Sequence, residues 1–163
     1  MILKKGIFYG EEQMSESEFL KICKYVAGVN HGKVKQFKGI EYNNFYEAHL
    51  YVFKKDYWVR LNMSHPFIGI IDINPYILDE SGVGWINTNP LYIDIKELAE
   101  QFAPYYQVLT ANELNRLLET SRESNNPKKW IITQENELNE NEHYWISDYM
   151  PKTIGEIIFN YWD

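Results

Sequence analysis

Between residues 45 and 73 the chain reads as three strands in succession, and this stretch limits the fold more than any other. From Phe45 to Phe53 the side chains alternate, with Tyr46, Ala48, Leu50 and Val52 on one face. A side-chain period of two marks a half-buried strand. Lys54-Lys55-Asp56 supplies a short turn, and Tyr57, Val59, Leu61 and Met63 repeat the alternation, so the pair is predicted to form a β-hairpin. Phe67-Ile68-Gly69-Ile70-Ile71-Asp72-Ile73 is a dense apolar run that stops at Asn74-Pro75, the pattern of a central strand covered on both faces. Something else in the chain must cover it.

Helices are the predicted cover, and their starts announce them. Four times a Ser, Thr or Asp stands three residues before a Glu and opens an apolar pattern at helical spacing: Ser15 with Glu18, Asp94 with Glu97, Thr110 with Glu113 and Thr153 with Glu156. Such a pair satisfies the free N–H groups of a helix start. The stripes that follow are Phe19, Ile22, Cys23 and Val26; Leu98, Ala99 and Phe102; Leu114, Leu117 and Leu118; and Ile154, Ile157, Ile158 and Tyr161. Phe159 and Trp162 give the last helix a second apolar edge. Shorter strands are predicted at 7–9, 34–37, 83–86, 105–109, 130–133 and 144–146, and polar loops at 121–129 and 134–143. The expectation is one layered α+β domain over residues 1–163, with a mixed, mainly antiparallel sheet and about four helices. Its length, 163 residues, fits a single domain.

Charge narrows the function classes. Net charge is −7, unevenly spread: residues 1–60 carry ten Lys or Arg against seven Asp or Glu, and residues 61–163 carry six against sixteen. Affinity for nucleic acid comes from Lys and Arg displacing counterions, so general nucleic-acid binding is not expected. An acidic face favours a basic partner and speeds encounter with it. The single cysteine, Cys23, excludes an intrachain disulfide and the Cys-rich zinc patterns. No run reaches the eighteen or so apolar residues of a membrane helix, and the first residues lack a signal peptide's apolar stretch, so a cytoplasmic protein is expected.

Candidate chemistry is sparse, and neither a cofactor nor a metal is expected. His31 and His65 sit beside turn residues Gly32 and Pro66. Glu47 and His49 share one face of the predicted strand, and with Asp72 they are the candidates for a carboxylate/histidine-dependent hydrolase, with or without a metal. No third ligand is placed by spacing. The stretch 134–149 is the most distinctive in the chain. It holds Glu135, Glu137, Glu140, Glu142 and Asp148 with no Lys or Arg, and Tyr144, Trp145 and Tyr149 lie within it. Carboxylates bordering aromatics make a docking surface in which charges steer and rings anchor. Glu135, Glu137, Glu140, Glu142, Tyr144 and Trp145 are therefore the expected partner-binding residues, with the four glutamates exposed.

Residues 151–163, Pro-Lys-Thr-Ile-Gly-Glu-Ile-Ile-Phe-Asn-Tyr-Trp-Asp, resemble the ending of many small bacterial proteins. Some of these resemble the immunity proteins that neutralise polymorphic or contact-dependent toxins. The resemblance implies a cytoplasmic inhibitor that binds a cognate toxin, often a basic nuclease, and carries no catalytic residue across. Two alternatives stand beside it: the small enzyme on Glu47 and His49, and a phage or mobile-element protein that binds a host factor.

Overall fold

The computed structural model describes residues 2–78, 80–87 and 90–161, with backbone alone at 127 and 128. Trp162, expected on the second edge of the last helix, lies outside the described residues. Element order is α1 (Glu16–Val29), β1 (Lys33–Lys38), β2 (Phe45–Val52), β3 (Lys55–Asn62), β4 (Phe67–Ile71), β5 (Tyr76–Leu78), β6 (Gly84–Ile86), α2 (Lys96–Phe102), β7 (Gln107–Val108), α3 (Ala111–Leu114), β8 (Thr120–Glu123), β9 (Asn126–Ile132), α4 (Glu140–Tyr149) and α5 (Ile154–Ile158). Five strands form the main sheet in the order β1-β2-β3-β4-β7, antiparallel except for the β4–β7 pair. The fold is α+β, with the mixed, mainly antiparallel sheet that the alternation implies. Among the described residues, no helix is long and apolar enough to cross a membrane.

The sheet separates two cores. One face carries Tyr46, Ala48, Leu50, Val59, Leu61 and Ile70 and is covered by Phe19, Cys23 and Val26 of α1 with Leu98 and Phe102 of α2. The opposite face carries Phe45, Trp58, Phe67 and Ile71 and is covered by the C-terminal third, including Leu114, Ile146, Ile157, Ile158 and Phe159. All five residues of β4 are buried, as a strand covered on both sides must be.

Three of the four predicted helix starts are capped as read. The Ser15, Thr110 and Thr153 hydroxyls accept from the N–H groups of Glu18, Glu113 and Glu156. The fourth differs. Helix α2 starts after Ile95 without a side-chain cap, and Asp94 Oδ1 instead accepts from Ala111 N at 2.8 Å, tying α2 to α3. The stripes also shorten: α3 ends at Leu114, leaving Leu117 exposed, and α5 ends at Ile158, so Tyr161 joins the core by a bridge to Asn43 rather than as a helical residue. Residues 7–9 form no strand; Ile7 and Phe8 are buried as irregular chain.

Two larger corrections concern turn and period. The β2–β3 turn is Phe53-Lys54, not Lys54-Lys55-Asp56, because Val52 pairs with Lys55. Both turn residues have positive φ, 53° and 59°, the geometry that matches a two-residue turn to strand twist. Residues 144–146, expected as a strand, belong to helix α4, whose start cuts into the expected 134–143 loop. Asn139 Oδ1 accepts from Glu142 N while Glu142 Oε2 accepts from Asn139 N, each at 2.9 Å, a complete capping box.

The C-terminal segment docks through two buried asparagines. Asn62 Nδ2 donates to the carbonyls of Ile158 and Ile7, at 2.7 and 3.0 Å. Asn44 Oδ1 accepts from Asn160 N at 2.6 Å. Gly155 and Gly69 both pack against the Tyr92 ring: a Cβ on either would stand 2.7–2.8 Å from a ring carbon.

Candidate functional site

Helix α4 packs on β9 by a narrow stripe of Glu142 and Ile146, its buried residues. The remaining residues are polar or aromatic; His143, Ser147 and Tyr149 are half-buried, and the Ser147 hydroxyl donates to the Trp130 carbonyl at 2.8 Å. Asn141, Tyr144, Trp145 and Asp148, spaced as one helix face, are all exposed, and Glu140 stands exposed in the first turn. Tyr144 is 67% and Trp145 36% exposed. The Trp145 and Tyr149 rings stack one turn apart, with centroids 5.8 Å apart and planes 19° apart, and Tyr144 meets Trp145 edge-on at 6.4 Å. The two rings therefore brace one another and present a shaped aromatic surface. Tyr144 and Asp148 also border a recess of about 250 Å³ with Lys129, whose ammonium is 3.4 Å from Glu123.

The six residues read from the sequence separate into groups. Glu140, Tyr144 and Trp145 lie together on α4. Glu137 is exposed in the preceding loop, which is held to the N-terminal segment by Glu137 N donating to the Leu3 carbonyl at 2.8 Å. Glu135 is exposed but turns to another recess, lined by Glu113, Arg116 and Glu119. Glu142 corrects the expectation of four exposed glutamates: it is buried, 4% exposed, because it closes the capping box of α4. Asp148 takes its place on the exposed stripe.

The Glu47/His49 candidates share a face as expected, but each is engaged elsewhere. Glu47 is opposite Arg60, and both are buried, 3% and 0% exposed. Arg60 Nε donates to Glu47 Oε2 at 2.7 Å, and the Tyr76 hydroxyl donates to Glu47 Oε1 at 2.7 Å. Arg60 Nη1 donates to the Tyr92 hydroxyl at 3.3 Å, and the guanidinium lies over the Phe45 ring at 4.4 Å. Burial opposes its charge, yet the Tyr92 oxygen and the Glu47 carboxylate hold its pKa above the ordinary value. His49 stacks on Trp58 at 4.3 Å and shares a 2.8 Å hydrogen bond with Asp56. Asp56 also accepts from Lys35 at 3.0 Å, and these two bonds, that from Lys35 first, hold its carboxyl below the usual range. Asp72 is exposed beyond the end of β4. No three His, Cys, Asp or Glu side chains among the described residues converge as a metal site requires. Glu47 thus serves as the counter-ion of a buried arginine. Arg60, Tyr76 and Asp56 are the partners sequence reasoning missed, and the register of the hairpin is the signal that pairs Glu47 with Arg60.

No family model matches the chain, and no curated protein or solved structure matches it.

Proposed function

We propose that this domain works by binding another protein, as a cytoplasmic immunity protein that covers the active site of a cognate basic toxin. The observation that carries this reading is the outer face of α4, where braced aromatic rings lie exposed beside Glu140 and Asp148. Large rings ordered in advance lose little freedom on binding, which suits them to anchor a partner. Acidic residues 61–163 supply the field that draws in a basic protein. The likeness of residues 151–163 to immunity proteins gives the partner its class. A host-factor-binding protein of a mobile element would use the same surface chemistry. The hydrolase alternative is less favoured, because both Glu47 oxygens are committed inside the core.

The reading is tested by co-expression with the toxin domain encoded beside this gene. The wild-type chain should restore growth and co-purify with the toxin. Tyr144→Ala/Trp145→Ala should fold but lose both effects. A toxin that remains fully active beside an equal amount of folded wild-type domain would rule the reading out.

A further inference from the structure

A cleft of about 490 Å³ opens between β1–β3, on the face that carries Trp58, and the β5–β6 hairpin, a size typical of small-ligand sites. No residue of α4 is among its described lining residues. Trp58, Tyr76 and Trp85 give it aromatic walls, and Gln36, Lys38 and His49 give it polar groups. The hairpin side leaves apolar surface in water, with Leu78 74% and Trp85 52% exposed. Among the described residues no carboxylate lines the cleft, although the chain has a net charge of −7. Two carboxylates on the same strands are already engaged, Glu47 by Arg60 and Tyr76, and Asp56 by Lys35 and His49. Among the described lining residues, Lys38 is the cation left over. Its ammonium lies 3.4 Å from the centre of the Tyr76 ring, and no carboxylate among the described residues pairs with it. Because Glu47 fixes the Tyr76 hydroxyl, the ring, and with it the ammonium's seat, is held at the cleft wall.

We propose that this cleft binds a single nucleotide, its base against the exposed Trp85 indole and its phosphate on Lys38. An apolar aromatic wall beside an unpaired ammonium calls for a flat ring carrying an anion. The Gln36 amide at the rim offers both a donor and an acceptor, as the edge of a base requires. The ligand is a mononucleotide rather than a strand, because the acid-rich residues 61–163 repel a polyanion while one phosphate needs only Lys38. The inference is independent of the protein-binding face.

The test titrates the full chain with the four ribonucleoside 5′-monophosphates, following tryptophan fluorescence and amide NMR shifts. At least one should saturate the site below about 1 mM, with shifts centred on β1, β3 and the β5–β6 hairpin. The matching nucleoside and inorganic phosphate should each bind at least about tenfold more weakly, since each meets half of the site. Lys38→Gln and Trp85→Ala should each weaken binding by about tenfold or more with unchanged melting, as loss of a phosphate contact or a stacking ring does. Trp145→Ala should bind as the wild type. A twelve-nucleotide single strand should bind no tighter than the monomer. Absence of saturation by all four monophosphates up to about 1 mM, full affinity in Lys38→Gln, or tight binding of the strand alone would overturn the assignment.

Discussion

Replacing Glu47 by Gln should destabilise the domain far more than the loss of one hydrogen bond. The shape of the side chain survives and its amide can still meet Tyr76, but Arg60, fully buried, loses its counter-ion. Nη2 of Arg60 already lacks a hydrogen-bond partner among the described residues, so no alternative anion stands ready. Stranding one member of a buried ion pair costs about 3–5 kcal/mol. Total domain stability is of order 5–15 kcal/mol, and each kcal/mol moves the melting point of a chain this size by about 2–4 °C. The expected shift is therefore a fall of about 6–20 °C, read by circular dichroism melts and urea titration. Adding Arg60→Met should recover much of the loss, because a buried pair replaced by apolar volume is often neutral. If Glu47→Gln melts within about 1 °C of the wild type, or the double variant melts below the single one, pairing does not hold this face together.

Gly155→Ala separates packing from propensity. Helix preference favours Ala by about 1 kcal/mol, but the new methyl would stand 2.9 Å from the Leu114 carbonyl and 2.7 Å from Tyr92, so a loss of about 1–3 kcal/mol is expected and a rise in melting point would refute the contact. Stability should decline at alkaline pH: burial, the leading cause, raises the pKa of Tyr76, Tyr161 and Tyr92, the last to about 12. The unfolded tyrosines ionise near 10, so their contribution is complete below about pH 10 and is lost as pH rises through the folded values. Urea midpoints equal at about pH 8 and pH 11 would contradict this. Cys23 is buried and burial raises its thiol pKa, so Ellman's reagent should release no colour from native protein and one equivalent after denaturation; prompt native reaction would show an opening of the α1 core.

The strands at 45–53, 57–63 and 67–73 were legible because alternation and a dense apolar run are local signals. So were the caps at Ser15, Thr110 and Thr153. Helix α4 was not, for a physical reason: it buries only Glu142 and Ile146, so it shows no apolar stripe, and Tyr-Trp-Ile reads locally as strand. Its Asn139–Glu142 box was nonetheless present in the sequence. The Glu47–Arg60 pair was hidden by the turn. Two positive-φ residues are expected to be Asn or Gly, and Phe53-Lys54 gives neither, so a turn centred on Lys55 places Glu47 against Met63 instead of Arg60. A turn begun one residue late and one residue longer thus shifted the register by three positions and concealed the main polar contact of the core. Asp94 fails as a cap because its carboxylate finds the free N–H of Ala111, a tertiary partner that no local pattern reveals.

The most direct test of the central claim is binding kinetics against the cognate toxin that the proposed function requires, measured by surface plasmon resonance at low and high salt. The informative variant is Glu135→Gln/Glu137→Gln/Glu140→Gln, which removes exposed charge and spares Glu142, the cap of α4. Salt screens exposed charge over a Debye length of about 8 Å at physiological strength and less above it. The triple variant should associate about tenfold more slowly at low salt and within about twofold of the wild type near 0.5 M salt. Trp145→Ala should leave association nearly unchanged and speed dissociation, as loss of an anchoring ring does. Unaltered kinetics in both variants, with the toxin still held tightly, would contradict the account and place the interface elsewhere on the domain.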